Sequence, residues 1–594
     1  MRPHWLTTLA GFSLAALVAL PLRSAAQEPS PSLKEADADY RAGVAALSHN
    51  DLQTARGDFE KVVRLAPSAE QGHSALGAVL VRLGENSAGI TELEKALAIK
   101  AGDTIAQQNL AIAFEQAGQP ARAISWFARL EAASRAAQKP LPAEVLAAYA
   151  RSLAATHQNE MAIAKMKQAV VEAPRNAELW DELGSLYGQR RDWSGAQHAF
   201  NSALQIDPGL ATAHFHLGMT LDAQQQAGGI DELSKACDLA PGNADFLLAL
   251  GQALAAQGKD AEAIPVLERA VKLNSGHVTA AYQLGLALQR ANRVNDAIPL
   301  FEKAAVADPA NAEILTNLGM ALCQAQRAKD AVPVLQHAVT LAPENPTAHE
   351  DLAAAYIQLS QFNDAVGQLR AALQLSPGAP QLHYNLGLAF KMEDDAAGAI
   401  PEFEAAEKLD PSASEPPYAL GLLDLQDGRY ADAERELSNS LKLQPANGDG
   451  WATLGSVENH LGKLPEAASA LEEAIRQRPD QPDPHLTLAA VLIKQNQPAQ
   501  AAEQRKTAAE LMRTNMNRQR AEVASNSGND MLKKGSISDA IVDFRDALSY
   551  DPDYVEAHIG LANALQRQGR IGEAAAERQK AEALEKQSQP PVRP

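Results

Sequence analysis

Apolar residues recur along most of the chain in stretches of about 13 residues, in which they lie three and four positions apart. This spacing puts them on one face of a helix, so each stretch predicts an amphipathic α-helix. Short polar turns separate the stretches, and in the middle of the chain a proline follows every second one. Because the residue before a proline disfavours helical geometry, these prolines mark helix ends. The pattern predicts an all-α protein made of helix pairs.

The helix pairs repeat every 34 residues. The closing prolines are Pro309, Pro343, Pro377, Pro411, Pro445 and Pro479. A Leu-Gly or Leu-Ala pair in the first helix and an alanine in the second recur at the same interval, and four residues after that alanine comes Phe or Leu. Since glycine has no side chain, we expect the two helices to approach closely there, with Phe or Leu filling the remaining space.

One repeat carries the full set of recurring positions. They are Trp180, Leu183, Gly184, Tyr187, Ala196, Phe200, Ala203 and Pro208. In order and spacing this resembles the signature of the tetratricopeptide repeat (TPR) family. The resemblance covers about 16 repeats and implies a right-handed superhelical α-solenoid of antiparallel helix pairs, whose first helices line a concave groove for partner proteins.

The repeats account for nearly all of the chain. The predicted layout is repeats 1–3 over 36–137, an insertion at 138–142, repeats 4–14 over 143–515, an insertion at 516–520, repeats 15–16 with a C-terminal cap over 521–588, and a disordered tail at 589–594. Residues 499–525 contain neither Gly nor Pro, so one extended helix is expected around 516–520. This layout leaves no room for a separate catalytic domain, and the protein is therefore expected not to be an enzyme.

Four prolines lie inside predicted second helices. They are Pro265, Pro299, Pro333 and Pro401. We expect them in the first helical turn, where a backbone N–H has no intrahelical partner and proline is tolerated.

The N-terminus has the features of a secretory signal peptide. Arg2 precedes an apolar run over 6–20, and small residues at Ser24, Ala25 and Ala26 predict cleavage after Ala26. The alternative is an uncleaved membrane anchor, for which the run is short. Residues 1–26 are thus predicted to be a signal peptide and 27–35 a flexible linker. The mature protein is expected to be periplasmic or secreted, without stable membrane insertion.

The charge and the cysteine content of the chain limit the kinds of partner and cofactor that we expect. Asp and Glu number 73 against 53 Lys and Arg, and the formal net charge is −20. An acidic chain repels nucleic acid phosphates, so nucleic acid is not expected as a partner. The only two cysteines, Cys237 and Cys323, exclude a cysteine-rich metal site and are expected to be isolated buried thiols. We expect no cofactor.

Six histidines share the repeat position that Trp180 and Trp451 occupy. They are His73, His214, His349, His383, His485 and His558. Equivalent helices of neighbouring pairs lie roughly 8–10 Å apart or more, too far for two of these histidines to hold one ion. A packing role is therefore favoured over metal ligation.

The candidate binding residues lie on the first helices, which resemble the groove-lining helices of the family. Asparagine amides both donate to and accept from a peptide backbone, and tyrosine supplies rigid apolar area. The candidates are Asn109, Tyr282, Gln283, Arg290, Asn317, Gln324, Tyr384, Asn385, Lys391 and Tyr418. No repeat has lysine at the position that the chaperone-binding members of the family use, so capture of a chaperone C-terminus is not expected.

The sequence predicts an exported, non-catalytic scaffold of the cell envelope that binds segments of unidentified protein partners in its groove; self-association stays open. One alternative is an accessory scaffold for polysaccharide export or outer-membrane assembly. Another is a repeat arm that serves a glycosyltransferase supplied by another chain.

Overall fold

The computed structural model describes residues 31–588, which form thirty-one α-helices and no β-strand. The all-α fold expected from the sequence is confirmed. The chain divides into two compact units, with the boundary between Pro309 and Ala310. We call them the N-terminal half and the C-terminal half and describe each by itself. The predicted signal peptide at 1–26 and the predicted tail at 589–594 lie outside the described residues.

The N-terminal half contains eight helix pairs. Its helices are α1 (Pro31–Ser48), α2 (Leu52–Leu65), α3 (Glu70–Arg82), α4 (Asn86–Ile99), α5 (Thr104–Gln116), α6 (Pro120–Ala136), α7 (Ala143–Ala155), α8 (Asn159–Glu172), α9 (Ala177–Gln189), α10 (Trp193–Ile206), α11 (Ala211–Ala223), α12 (Gly229–Leu239), α13 (Ala244–Ala256), α14 (Asp260–Leu273), α15 (Val278–Arg290) and α16 (Val294–Ala307). The two helices of each pair pack against each other, and the second helix of a pair packs against the first helix of the next pair, through to α14 and α15.

The C-terminal half continues the same pattern. Its helices are α17 (Ala312–Gln324), α18 (Ala328–Leu341), α19 (Pro346–Gln358), α20 (Phe362–Leu375), α21 (Pro380–Met392), α22 (Ala396–Leu409), α23 (Glu415–Gln426), α24 (Tyr430–Leu443), α25 (Gly448–His460), α26 (Leu464–Gln477), α27 (Pro482–Lys494), α28 (Pro498–Lys534), α29 (Ile537–Tyr550), α30 (Val555–Arg567) and α31 (Ile571–Ser588). Helix α28 spans 37 residues and includes the insertion at 516–520. It serves as the second helix of one repeat and the first helix of the next, packing against α27 and α29.

Asparagine and aspartate side chains begin many of the first helices. The Asn176 side chain accepts hydrogen bonds from the backbone N–H groups of Glu178 and Leu179, which have no intrahelical partner. Asp103, Asn243 and Asn311 do the same at α5, α13 and α17, and Asn345 accepts one such bond, from Thr347, at α19. These caps come directly after the turn that closes the preceding repeat, so the same few residues end one helix pair and start the next.

In the repeats that carry glycine at the recurring position, a close contact between this glycine and the large apolar residue of the second helix holds the pair together. A Cβ atom added to Gly387 would lie 2.7 Å from the ring of Phe403, and one added to Gly319 would lie 2.3 Å from the side chain of Leu335. Phe403 and Leu335 are fully buried. At Gly387 and Gly319, only glycine therefore lets the second helix lie this close.

Two expectations about helix starts need correction. Helix α1 begins at Pro31, so residues 31–35 are helical and do not form the expected linker. Proline is favoured at the first position of a helix, and the residues after it are not helix breakers. The four internal prolines are each the sixth residue of their helix, in the second turn and not the first. All four are solvent-exposed, so water can bond the backbone carbonyl that each proline leaves unpaired.

Between residues 31 and 588, no helix combines the length and the apolar character that a membrane crossing requires.

Candidate functional site

The ten candidate residues all lie on first helices of their pairs, four in the N-terminal half and six in the C-terminal half. The four are Asn109 on α5 and Tyr282, Gln283 and Arg290 on α15. The six are Asn317 and Gln324 on α17, Tyr384, Asn385 and Lys391 on α21, and Tyr418 on α23. Each half is therefore considered as a separate surface.

On α15, two of the candidates support the fold. Tyr282 is 9% exposed, and its ring lies 5.8 Å from the ring of Phe301 in the second helix of the same pair. The guanidinium of Arg290 makes paired hydrogen bonds with the Asp260 carboxylate of the preceding repeat, with Nη2 to Oδ1 at 2.7 Å. Tyr282 therefore packs within its own repeat, whereas Arg290 is partly exposed and paired with the preceding repeat. Gln283 is half-buried on the same helix.

The C-terminal half brings candidate residues into a polar cluster on α19 and α21. Nδ2 of Asn385 donates to Oε1 of Glu350 at 2.9 Å, and Oδ1 of Asn385 accepts from Nε2 of Gln381 at 3.0 Å. Tyr384 lies beside Asn385, half-buried, with its ring 5.6 Å from the ring of Phe403. The side chains are thus held in one geometry before any partner binds. We call Glu350, Asp351, Tyr384 and Asn385 the α19–α21 cluster.

Two carboxyl groups give this cluster an acidic character. Burial, and then the nearby charge of Glu350, raise the pKa of Asp351 to about 7. Its Oδ2 atom is buried without a hydrogen-bond partner. Burial also raises the pKa of Glu350, against the hydrogen bond from Asn385. The hydroxyl of Tyr384 has a raised pKa through burial and the charge of Glu415 on α23. The cluster therefore favours partner groups that donate hydrogen bonds.

The other candidates of the C-terminal half lie on α17, α21 and α23. Asn317 donates from Nδ2 to the backbone carbonyl of Glu313 at 3.0 Å, within its own helix. Gln324 is exposed and Lys391 is half-buried on the end of α21. Tyr418 is partly buried and packs against the hydrophobic cluster that contains Leu437 and Leu454.

In the N-terminal half, an ion-pair ladder joins three first helices and was not among the candidates. Nε of Arg151 on α7 donates to Glu115 on α5 at 3.1 Å, and its Nη1 donates to Glu182 on α9 at 3.1 Å. These partners lie 36 and 31 residues from Arg151, close to one repeat. Pairs of opposite charge spaced by one repeat on first helices are the sequence signal that identifies this ladder.

A Ser-His-Asp grouping also lies on these helices, on α9 and α11. Oδ1 of Asp181 lies 2.8 Å from Nδ1 of His216, and Oγ of Ser185 lies 3.5 Å from the same nitrogen. A catalytic triad places the nucleophile and the acid on opposite ring nitrogens. Because both groups share Nδ1 here, the arrangement does not activate Ser185.

The six recurring histidines bond to protein atoms, as the packing interpretation predicts. In His73, Nε2 lies 3.0 Å from the carbonyl oxygen of Pro67, and Nδ1 lies 2.6 Å from Glu92. The Nε1–H of Trp180 donates to the carbonyl of Pro174 in the same way, at 3.3 Å. Both residue types thus supply an N–H that fixes the turn between repeats. His214, His383 and His558 make the same two contacts, with a glutamate and a proline carbonyl. His349 contacts Gln368 and the Pro343 carbonyl, and His485 contacts Gln504.

The two cysteines are free and buried, as predicted. Burial raises the pKa of both thiols to about 11, so neither forms a thiolate readily near neutral pH. Within the described residues, no group of three or more His, Cys, Asp or Glu side chains could hold a metal ion.

Models of repeat families match much of the chain. The model described as "Tetratricopeptide repeat" matches residues 74–138, 282–346 and 418–482, and further models with this description match 244–286 and 460–516. A model described as "TPR repeat" matches 354–393 and 528–569.

A curated relative and several solved structures are similar to parts of the chain. Cellulose synthase operon protein C of Xanthomonas axonopodis pv. citri (strain 306) is 34% identical over 147 residues, which are 24% of this chain and 10% of that protein. The chain therefore matches about a tenth of the length of this relative.

Three solved structures illustrate the structural similarity. YrrB, described as a TPR protein with an unusual peptide-binding site, is 23% identical, with a TM-score of 0.29, covering 32% of this chain and 96% of that one. A MamA fragment from Desulfovibrio magneticus RS-1 is 25% identical, with a TM-score of 0.28, covering 28% and 96%. The anaphase-promoting complex assembly Cut9–Hcn1 is 15% identical, with a TM-score of 0.33, covering 89% and 96%.

Proposed function

Because the chain belongs to the tetratricopeptide repeat family, we propose that it is a non-catalytic protein-interaction scaffold of the cell envelope. The observation that carries the proposal is the α19–α21 cluster. It combines a fixed asparagine amide, a half-buried tyrosine and two carboxyl groups on adjacent first helices. An extended partner segment would donate backbone or side-chain N–H groups to Glu350 and Asp351 and pack against Tyr384.

The envelope location rests on residues 1–26 of the sequence. We expect the chain to be recovered in the periplasmic fraction after osmotic shock, with Gln27 as its first residue by N-terminal sequencing. A variant without residues 2–26 should stay in the cytoplasmic fraction, because the export signal is gone. Recovery of the full-length chain with membranes would instead support the uncleaved anchor.

Removal of the cluster side chains should weaken partner capture. The chain beginning at Gln27 is immobilised and exposed to an envelope extract, beside a variant carrying Tyr384→Ala and Asn385→Ala. The variant removes an aromatic contact and an amide hydrogen bond, so we expect roughly tenfold less of the specifically captured proteins. Quantitative mass spectrometry of the captured proteins measures the difference.

The matched control changes the other helix of the same repeat. Glu404 and Lys408 are exposed on α22, and replacing both by alanine leaves the net charge unchanged. This variant should capture the same proteins as the parent chain. Equal capture by the cluster variant and the parent, with unchanged helicity by circular dichroism, would contradict the proposed binding site.

A second candidate function is an accessory scaffold for polysaccharide export or outer-membrane assembly. The 34% identity to cellulose synthase operon protein C over 147 residues favours it. The capture experiment separates the two possibilities, since polysaccharide synthesis or export proteins among the specific partners would support the second. Either way, the same cluster is expected to hold the partner.

A further inference from the structure

The last two repeats enclose a pocket away from the α19–α21 cluster. It lies between α28 and α30 and has a volume of about 970 Å³. Its lining residues are Asn526, Asn529, Asp530, Leu532, Lys533, Asn563, Gln566 and Arg567. Apart from Leu532 every lining side chain is polar or charged, so the pocket suits a polar ligand. We call it the α28–α30 pocket.

Arg578 on α31 fixes the orientation of two amides in this pocket. Its Nη2 donates to Oδ1 of Asn563 at 3.3 Å and also to Oε1 of Gln566. A guanidinium has only donors, so both amide oxygens must face Arg578. The NH₂ groups of Asn563 and Gln566 therefore remain as the donors that these side chains present to a ligand.

Two cations flank these donors, one from each helix. Nζ of Lys533 lies 3.2 Å from Oδ1 of Asp530, in an exposed pair that water screens strongly. Nη1 of Arg567 donates to the carbonyl oxygen of Leu532 at 3.2 Å, which holds the guanidinium at the end of α28. Among the residues that line the pocket, Lys533 and Arg567 carry two positive charges and Asp530 carries one negative charge. The pocket is thus locally basic in a chain whose net charge is −20.

The same two-residue pattern occurs in both repeats. Asn529 and Lys533 on α28 correspond to Asn563 and Arg567 on α30, and in each case the cation follows the asparagine by four residues. Residues four apart lie on one helix face, so each helix presents an amide and a cation together. Asparagine occurs at this position in no other repeat of the sequence. The pocket is therefore a feature of this end of the chain and not of the repeat in general.

We propose that the α28–α30 pocket binds an extended acidic peptide segment with two carboxylates three residues apart. Packed helices lie roughly 10 Å apart, which sets the separation of the two amide-cation pairs. In a polyproline II segment, residues three apart share a face and are separated by about 9 Å. Each carboxylate would meet one cation and its neighbouring amide, while Asn526 bonds to the peptide backbone.

A peptide is favoured over an acidic polysaccharide by the lining of the pocket. No aromatic side chain lines it, whereas an aromatic surface is what we would expect for stacking of sugar rings. Side-chain amides, in contrast, match the alternating donors and acceptors of a peptide backbone. An acidic oligosaccharide is therefore the competing ligand in the test.

The test measures binding of defined probes to the full chain beginning at Gln27, by fluorescence anisotropy at low ionic strength. The probe is the fluorescein-labelled peptide APEAPEAPA, and its neutral counterpart is APQAPQAPA. We expect the acidic peptide to bind at least about tenfold more tightly than the neutral one, with affinity falling as salt is added. Tetragalacturonate serves as the acidic oligosaccharide.

Two variants and one control assign the binding to the pocket. Lys533→Ala, at a strongly exposed position, and Arg567→Ala should each lower the affinity for the acidic peptide about tenfold. Lys580→Ala on α31, whose ammonium pairs with Glu577 at 3.0 Å, removes one positive charge outside the pocket and should leave the affinity unchanged.

Three results would overturn the proposal. The first is that the acidic and neutral peptides bind the parent chain equally, or not detectably. The second is that Lys533→Ala and Arg567→Ala bind the acidic peptide with the affinity of the parent chain. The third is that tetragalacturonate binds the parent chain more tightly than the acidic peptide does. The variant with Tyr384→Ala and Asn385→Ala should bind the peptide as the parent chain does. The peptide test therefore does not depend on the proposed function of the α19–α21 cluster.

Discussion

Replacing Phe403 by alanine is expected to lower the free energy of unfolding of its part of the array by about 3–5 kcal/mol. The side chain is fully buried and fills the space above Gly387, where even a methyl group would lie 2.7 Å from the ring. Its ring also lies 5.6 Å from that of Tyr384. The substitution leaves a cavity between two helices, which the close backbone packing at Gly387 prevents from collapsing fully.

The chain itself supplies the matched control. Leucine occupies the equivalent position in other repeats, as Leu335, Leu369, Leu437 and Leu471, each fully buried or nearly so. Phe403→Leu should therefore cost less than about 1.5 kcal/mol. Urea denaturation followed by circular dichroism gives the overall change. Hydrogen exchange locates it, since stability in repeat arrays is local to neighbouring repeats. Equal losses for alanine and leucine would contradict the packing role.

Replacing Asp351 by asparagine should change how the stability of the C-terminal half depends on pH. Burial and the charge of Glu350 raise the pKa of Asp351 to about 7 in the folded chain, compared with about 3.9 in an unfolded chain. Between these values the folded state binds the proton more tightly, so stability falls as pH rises from about 4 to about 7. Above pH 7 both states are ionised and the loss is complete.

Because asparagine cannot ionise, the stability of the Asp351→Asn variant does not fall in this way as the pH rises. Relative to the parent chain, we expect Asp351→Asn to gain on the order of 2–4 kcal/mol between pH 4 and pH 8. Denaturant unfolding at several pH values measures the gain. Asp364→Asn, at an exposed position on the adjacent helix α20, is the control and should leave the pH dependence unchanged. Parallel stability profiles for the parent chain and Asp351→Asn would show that this carboxyl is not perturbed.

A related carboxyl offers a second case in another repeat. Glu458 on α25 is 8% exposed, has a buried oxygen without a hydrogen-bond partner, and has its pKa raised to about 7 by burial and by the charges of Glu434 and Glu466. It sits at the repeat position that Tyr187 occupies. Its contribution should persist in Asp351→Asn, so part of the pH dependence of the parent chain is expected to remain.

The candidate site was only partly predictable, because the binding residues were chosen by repeat position alone. Repeat position places Tyr384 and Asn385 beside each other on a first helix, and the structure shows both half-buried on α21. The same choice also included Tyr282 and Arg290, which the structure uses for packing against Phe301 and pairing with Asp260. Equivalent positions in different repeats have the same backbone geometry. Whether a side chain at such a position is bonded within the protein depends on which residue lies opposite it in the neighbouring repeat.

The sequence determined the helix pairs, their order and the glycine contacts of this protein. These features depend on interactions within 34 residues, and each leaves a residue type at a fixed interval. Gly387 and Phe403, for example, are only 16 residues apart, so both partners of that contact lie within one repeat.

Only the tertiary structure decided which polar groups meet. Asn385 bonds to Glu350, 35 residues away, and Arg151 bonds to Glu115, 36 residues away. Arg578, on a third helix, donates to the amide oxygens of Asn563 and Gln566 and so orients both amides. The physical reason is that long polar side chains extend to the next helix. Which group each of them bonds there depends on its rotamer, its burial and the other partners within reach. Apolar periodicity fixes the backbone, but the functional chemistry depends on these side-chain choices.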